Sequence, residues 1–109
     1  MSTRDERLDL VFGALSDRTR RALLARLSRE PAKITDLATP FAMSLPAVSK
    51  HVRVLERAGL VRRTVDGRVH RCSFEAAPLR EANRWLARYR MFWEGALDRL
   101  ERYVTEKRK

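Results

Sequence analysis

The sequence predicts a mostly α-helical domain with one small β-hairpin. Its 109 residues suit one domain spanning 1–109, and a hydrophobic content of 44% can supply a core. Most apolar residues recur at the three- and four-residue spacing of amphipathic helices. Residues 60–74 differ, because apolar and polar residues alternate there around Asp66-Gly67, which predicts a hairpin. The predicted order is four helices, the hairpin and a final helix.

The first two helices are predicted from apolar periodicity and from a capping signal. The first covers RLDLVFGAL, residues 7–15. Ser16 or Asp17 caps the second, DRTRRALLARLSR, which ends before Pro31. The residues predicted on the apolar sides are Leu8, Val11, Phe12 and Leu15 in the first helix, and Ala22, Leu23 and Leu27 in the second.

Three arginines, Arg18, Arg20 and Arg21, crowd the first turn of the second helix. Cations oppose the positive end of the helix dipole there, so they reduce stability unless an anion lies nearby. A solvated charged face is the alternative interpretation. The sequence leaves both open.

Residues 35–58 predict two helices joined by a tight turn. Thr35 reads as the N-cap of a short helix, TDLATPF, which Pro40 stops or kinks. Ser44 caps the next helix, which tolerates Pro46 in its first turn and ends near Ala58 on Gly59. This arrangement is a helix-turn-helix.

The second of these helices separates into an apolar and a cationic face at about 100° per residue. Leu45, Val48, Val52 and Leu55 group on the apolar face, and Pro46, Lys50, Arg53 and Arg57 project from the other. Residues 44–71 hold seven Lys or Arg against two Asp or Glu, in a chain of net charge +10. Long cations beside small side chains fit the major groove of DNA, and the hairpin can reach phosphates or the adjoining minor groove. Taken alone, the cations of an edge strand also serve to discourage aggregation.

Three segments carry a family resemblance: SDRTRRALL, SLPAVSKHVRVLERAGLV and the DGR of the hairpin. Over roughly residues 8–104 the chain resembles the ArsR/SmtB family of winged-helix bacterial transcription regulators. The resemblance implies a winged helix-turn-helix and a homodimer that binds an imperfectly palindromic operator in double-stranded DNA and usually represses transcription. It maps the family's DNA contacts onto Ser44, Pro46, Ala47, Ser49, Lys50 and Arg53 of the recognition helix, and onto Arg63, Asp66, Gly67 and Arg68 of the wing.

The last helix is predicted from Pro78 toward Tyr103, with an apolar stripe wider than one small core can cover. We predict that part of it joins the first helix in a dimer interface, as the resemblance also implies. The predicted interface residues are Leu8, Phe12, Leu15, Trp85, Tyr89, Phe92, Trp93, Leu97 and Leu100. An intramolecular core stripe and a pocket for an apolar effector are the alternatives.

No metal site, cofactor or catalytic residue is predicted. The family's metal sensors carry their metal ligands on the helix that precedes the recognition helix and on the last helix. Here the first of these segments, TDLATPF, has no cysteine, and the last helix has neither His nor Cys. Cys72 with His70 supplies too few ligands for a closed site. His51 is predicted to pack or to touch a phosphate, and Cys72 to pack in the sheet in preference to a redox role. A glycine-rich phosphate loop and a Ser-His-Asp arrangement are both missing from the sequence.

The alternative function is a non-specific or architectural nucleic-acid-binding protein. Aromatic residues for base stacking would then lie among the basic ones, yet residues 43–71 contain none. The chain lacks a run of 18 apolar residues that could cross a membrane. With one cysteine and no apolar leader, we expect it in the cytoplasm, on the nucleoid. The operator sequence, the choice between repression and activation, and any effector stay open.

Overall fold

The computed structural model describes residues 3–107, which form five α-helices, one 3-10 turn and three short strands. In chain order the elements are α1 (Arg4–Leu15), α2 (Arg18–Leu27), β1 (Ala32–Lys33), α3 (Ile34–Ala38), the 3-10 turn (Thr39–Phe41), α4 (Leu45–Arg57), β2 (Val61–Asp66), β3 (Val69–Phe74) and α5 (Ala77–Lys107). The predicted order of helices and hairpin is confirmed. With α3 and α4 as the helix-turn-helix and the β2–β3 hairpin as the wing, the fold is a winged helix-turn-helix.

Helix α1 begins at Arg4, earlier than its apolar periodicity predicts. The Thr3 hydroxyl accepts a hydrogen bond from the Glu6 amide at 3.1 Å, and the Glu6 carboxylate accepts one from the Thr3 amide at 3.3 Å. This reciprocal capping box satisfies two backbone donors at the helix start. The prediction for Phe12 is wrong in part, because its side chain is 37% exposed while Ala14 occupies the buried side.

Of the two predicted N-cap candidates for α2, Ser16 and Asp17, the structure shows Asp17 as the cap. Its carboxylate accepts from the backbone N–H of Arg20 at 3.0 Å. The buried residues of α2 are Leu23, Leu24 and Leu27, whereas Ala22 is only half-buried. The apolar side is therefore rotated slightly toward Leu24 from its predicted position.

The prediction of Thr35 as the N-cap of α3 is wrong. Helix α3 begins at Ile34, and its N-cap is Lys33, which makes no side-chain capping bond. The reason is tertiary: Lys33 belongs to strand β1 and pairs with Arg71 of β3, so the chain leaves the sheet directly into the helix. Pro40 lies in the 3-10 turn that follows, and Ala42 ends that turn in the left-handed conformation at φ 51°.

Helix α4 is anchored by Val48, Val52 and Leu55, which are completely buried. Leu45 was predicted to join them, but it lies in the first turn beyond the core and is 42% exposed. The helix ends in a Schellman motif, in which the Leu60 amide donates to the Leu55 carbonyl at 3.0 Å and the Gly59 amide to the Glu56 carbonyl at 2.9 Å. Gly59 takes the left-handed φ of +75° that this motif requires.

The sheet is antiparallel with strand order β1-β3-β2. Strand β1 has only two residues, too short to be read as a strand from the sequence. In the hairpin Asp66 pairs with Val69, so Gly67 and Arg68 form the two-residue turn, one position later than the predicted Asp66-Gly67 centre. Among the described turn residues only Gly67 has positive φ (+62°), the pattern of a type II′ turn.

Helix α5 is longer than predicted, at 31 residues. At about 1.5 Å per residue it extends some 46 Å, well beyond the body of the domain. Its first turns pack on α1: Ala82 is buried, and the Trp85 ring meets Phe12 edge-on at a centroid distance of 5.7 Å. The remaining turns carry mostly exposed side chains, and the length of the molecule reaches 68 Å.

We expect Gly59→Ala to destabilise the fold by about 1–2 kcal/mol, because an L-residue is strained in the left-handed conformation. The added Cβ would also lie 3.2 Å from Cγ of Pro78, at the start of α5. The matched control is Gly13→Ala in α1, where no atom lies within 4 Å of the added Cβ. That control should stabilise by about 0.5–1 kcal/mol, because alanine favours the helix. Urea unfolding measures both, and equal effects of the two substitutions would contradict the argument.

Candidate nucleic-acid interface

The outward face of α4 carries all six recognition-helix residues predicted to contact DNA. Ser44, Pro46, Lys50 and Arg53 are exposed, and Ala47 and Ser49 are half-buried. Ser44 also has a structural role, since its hydroxyl oxygen accepts from the Ala47 amide at 3.3 Å. Because Val48 and Val52 anchor the opposite face, the outer face is presented from a fixed helix.

The tip of the wing is exposed to solvent. Asp66, Gly67 and Arg68 are exposed, as predicted for groups that reach a ligand. Two further arginines, Arg62 in β2 and Arg71 in β3, are exposed as well. Along each strand they alternate with more buried residues, such as Val61 beside Arg62 and Cys72 beside Arg71. Side chains in a strand point alternately to its two faces, so this alternation in the sequence could have placed both arginines on the outer face.

Arg63, predicted as a wing contact to DNA, is partly buried and already has partners within the protomer. Its Nη2 lies 2.7 Å and its Nε 3.1 Å from Oε1 of Glu56 on α4, and its Nη1 lies 3.2 Å from Nδ1 of His70 on β3. Only 19% of the Arg63 side chain is exposed. The guanidinium therefore contacts both α4 and β3, and Arg63 links the wing to the recognition helix.

A groove of about 480 Å³ separates α4 from the wing and is lined by Ser49, Arg53, Glu56 and Arg63. No hydrogen bond or ion pair links the exposed Arg53 side chain to another described residue. The cationic face of α4 and the wing are thus neighbours on one surface of the molecule.

The arginines at the start of α2 have a partner that neither interpretation of the sequence foresaw. Arg20 donates from Nε to the Ala14 carbonyl at 2.8 Å and from Nη2 to the Gly13 carbonyl at 3.2 Å, and Arg21 donates from Nη1 to the Leu15 carbonyl at 2.7 Å. These carbonyls lie in the last turn of α1, at the negative end of its dipole, and that of Gly13 also accepts from the backbone N–H and the hydroxyl of Ser16. Arg20 and Arg21 therefore cap the preceding helix.

Arg20 also connects α2 to the recognition helix through His51. Its Nη1 lies 3.3 Å from Nδ1 of His51, which is 3.8 Å from Oδ2 of Asp17. The Arg20 backbone N–H, followed by the charges of Arg20 and His51, lowers the pKa of Asp17 below its ordinary value. The contact with Arg20 agrees with the prediction that His51 packs against the protein.

Cys72 lies at the centre of the sheet and is completely buried. Burial is the largest influence on its thiol and raises the pKa of Cys72, which lowers the fraction of reactive thiolate. Over residues 3–107, His, Cys, Asp and Glu side chains form no cluster of three that could hold a metal ion. None of the described helices is both long enough and apolar enough to cross a membrane.

The residues predicted for dimerisation divide into two groups. Leu8 is buried in the protomer, and Leu15 and Trp85 are half-buried against the same core. The others are exposed: Phe12, Tyr89, Phe92, Trp93, Leu97 and Leu100. Phe92 (73% exposed) and Leu97 (63%) have the accessibility of surface residues despite their apolar character. Trp93 is exposed likewise, so the protomer does not enclose an effector pocket between Phe92 and Trp93.

Comparison with known proteins assigns the family. A family model described as a helix-turn-helix domain matches residues 15–64, from the end of α1 into β2. A crystal structure of an ArsR family transcriptional regulator is 45% identical, with a TM-score of 0.78, over 86% of this chain and 97% of that one. This chain belongs to the ArsR family of transcriptional regulators.

Two curated relatives match parts of this ArsR family chain. HTH-type transcriptional regulator Rv2034 of Mycobacterium tuberculosis is 45% identical over 53 residues, which are 49% of this chain and half the length of that relative. Transcriptional repressor SdpR of Bacillus subtilis is 29% identical over 72% of this chain and 88% of its own length. The predicted family resemblance is confirmed, together with a regulatory, DNA-binding function.

In this ArsR family member we expect the Glu56–Arg63 pair to contribute measurably to stability. A double-mutant cycle with Glu56→Gln and Arg63→Ala should give a coupling energy of about 0.5–1 kcal/mol, because the pair is partly buried and doubly hydrogen-bonded. The control is Arg26 with Glu30, a 3.6 Å pair whose carboxylate is 72% exposed. Its coupling should be smaller, at about 0.3 kcal/mol. A Glu56–Arg63 coupling no larger than this would exclude the linking role.

Proposed function

We propose that this protein is a homodimeric repressor that binds an imperfectly palindromic operator in duplex DNA, on its own or a neighbouring operon. One observation carries the proposal. The exposed cationic face of α4 lies beside an exposed cationic wing, and both are held by buried or paired residues behind them. Phosphates attract such cations, and base edges can be read by the side chains between them.

The recognition helix would enter the major groove with its N-terminal turns foremost. Lys50 and Arg53 are the long donors that can reach a guanine edge or a phosphate, and Ser49 is a short donor between them. Ala47 and Pro46 supply small apolar contacts such as those to a thymine methyl group. Ser44 would contribute at the helix start, where the dipole also favours a phosphate.

The wing would follow the adjoining backbone. Arg68 at the turn is the group that reaches furthest, into the minor groove or onto phosphates, with Asp66 and Gly67 shaping the tip. Arg62 and Arg71 add cations on the same hairpin. Arg63 orients the hairpin through Glu56, in place of the direct contact that the family pattern implies.

Dimerisation would supply the symmetry that an inverted repeat requires. Two α4 helices related by a twofold axis address half-sites one helical turn apart, at about 34 Å. The exposed apolar turns of α5, together with Phe12 of α1, are the surface that a second copy would cover. A dimer occupying a promoter blocks transcription, and the relative SdpR is named a repressor. Neither a metal nor another cofactor is part of this proposal, which places the protein in the cytoplasm.

Selection of bound sequences from a random duplex pool tests this function. We expect an enriched inverted repeat, protected on the natural promoter in a footprint, with an affinity that falls steeply as salt rises. Equal affinity for the natural promoter and random duplex would overturn sequence-specific regulation and favour the architectural alternative. Preference for single strands over duplex would also overturn the proposed function and favour that alternative.

A further inference from the structure

A cavity of about 460 Å³ lies where α1, the C-terminal end of α4 and the start of α5 meet. Its volume is within the range of about 300–1,000 Å³ that small-molecule sites occupy. Of the residues predicted for dimerisation only Leu8 lines it, so the cavity opens beside the apolar stripe of α5 and not beneath it. A ligand bound there would contact the recognition helix and both helices of the proposed dimer interface.

The inner wall of the cavity is apolar. Leu8 and Val11 of α1 and Ala58 at the end of α4 line it and are buried, and Pro78 of α5 lines it as well. Such a wall favours an apolar ligand body and offers few hydrogen-bonding groups to a small inorganic ion.

The rim of the cavity is cationic. Three arginines, Arg7, Arg57 and Arg84, face a single carboxylate, Glu81. Arg7 engages that carboxylate, with Nη2 3.0 Å from Oε1 and Nε 3.4 Å from Oε2. This hydrogen bond from Arg7, with the charges of Arg7, Arg4 and Arg84, lowers the pKa of Glu81, so the carboxylate stays ionised and engaged.

The two other rim arginines keep their donors available. The side chains of Arg57 and Arg84 make no hydrogen bond or ion pair with any other residue between 3 and 107. Arg57 stands in the last turn of α4, Arg84 stands two turns into α5, and both line the cavity. An arginine fork matches a carboxylate in a two-pronged, charge-assisted hydrogen bond.

We propose that this cavity binds an organic carboxylate with a compact apolar body, held by Arg57 and Arg84 at its charged end and by Leu8, Val11 and Pro78 at the other. The regulatory part rests on the proposed DNA-binding function. A ligand at this junction neutralises Arg57 on the recognition helix and fixes α4 relative to α1 and α5. Both effects act on the spacing and charge of the two recognition helices, so the ligand weakens operator binding.

Calorimetric titration with naphthoate tests the site, with naphthylmethanol as the uncharged match. Naphthoate should bind about tenfold more tightly or better, since charge-assisted hydrogen bonds to the arginines are lost with the alcohol. The double variant Arg57→Ala with Arg84→Ala should remove that preference. The control double variant, Arg29→Ala with Arg88→Ala, loses the same charge outside the cavity. It should still prefer naphthoate to naphthylmethanol. Equal binding of acid and alcohol, or retention of the preference in the cavity variant, would overturn the site.

The regulatory part is tested by adding saturating naphthoate to the operator-bound protein at constant salt and pH. We expect operator affinity to fall by about fivefold or more in the wild type, and not in Arg84→Ala, which leaves α4 unchanged. Unchanged affinity in a wild-type protein that binds naphthoate would overturn the regulatory coupling alone. Failure of the regulatory coupling can be distinguished from failure of the proposed DNA-binding function. If the proposed function is wrong, the protein shows no preference for the operator even before naphthoate is added.

Discussion

The double substitution Lys50→Ala with Arg53→Ala is expected to abolish operator binding at physiological salt. Each side chain that loses a base contact weakens binding by about 1–3 kcal/mol, and in a dimer each substitution occurs in both half-sites. With about 1.4 kcal/mol per tenfold change in affinity, even the lower end of this range gives a loss of several hundred-fold. Both side chains are exposed and outside the core, so the fold should be retained.

The single variants separate sequence reading from general attraction. If Arg53 reads a base, Arg53→Ala relaxes the preference at one operator position while the rest of the site is still selected. If a side chain contacts only phosphate, its loss weakens all duplexes alike and reduces the salt slope by about two, one for each half-site. Fluorescence anisotropy on operator and scrambled duplexes over a salt series measures both quantities.

The charge-matched control for these variants is Arg102→Ala, on the charged side near the end of α5. It removes the same charge per protomer far along the chain from α4, so we expect operator affinity to change by less than about threefold. A loss as large as that of Arg53→Ala would mean that net charge, and not the face of α4, determines binding.

Substitution of Leu97 by glutamate is expected to convert the protein from a dimer to a monomer. Leu97 is 63% exposed in the protomer, so the carboxylate is solvated in the single chain. In the proposed dimer it would be buried in an apolar interface, where an unpaired charge costs several kcal/mol. Sedimentation equilibrium should give a mass near the 12.7 kDa of one chain, against about twice that for the wild type.

Ala87→Glu is the matched control, because Ala87 is exposed on the same helix away from the apolar stripe. It adds the same charge and should leave the dimer intact. The Leu97 variant should also lose operator affinity by about a hundredfold or more, since joining two modules raises affinity by two to four orders of magnitude. A wild type that sediments as a single chain, or a Leu97→Glu variant that keeps full operator affinity, would refute the dimeric mechanism.

Much of the fold could be predicted because its signals are local. Asp17 and Ser44 cap their helices, Gly59 ends α4, and the alternation on either side of Gly67 marks the wing. Each of these effects acts over four or five residues, so the order of elements follows from the sequence. The errors arise where distant segments meet: β1 exists only through pairing with β3, and that pairing displaces the start of α3 from Thr35 to Ile34.

The candidate site follows the same division. By itself the sequence determined that this chain has a recognition helix with a cationic face, a basic wing and a long final helix with an apolar stripe. These features depend on periodicity and charge, which can be counted over neighbouring residues. Only the tertiary structure decided how each arginine is used. Arg63 binds Glu56 across the hairpin, Arg20 caps α1 and contacts His51 from 31 residues away, and Arg57 and Arg84 meet at one cavity. A guanidinium can bind any acceptor that it reaches, and which acceptors lie in reach depends on how the helices pack.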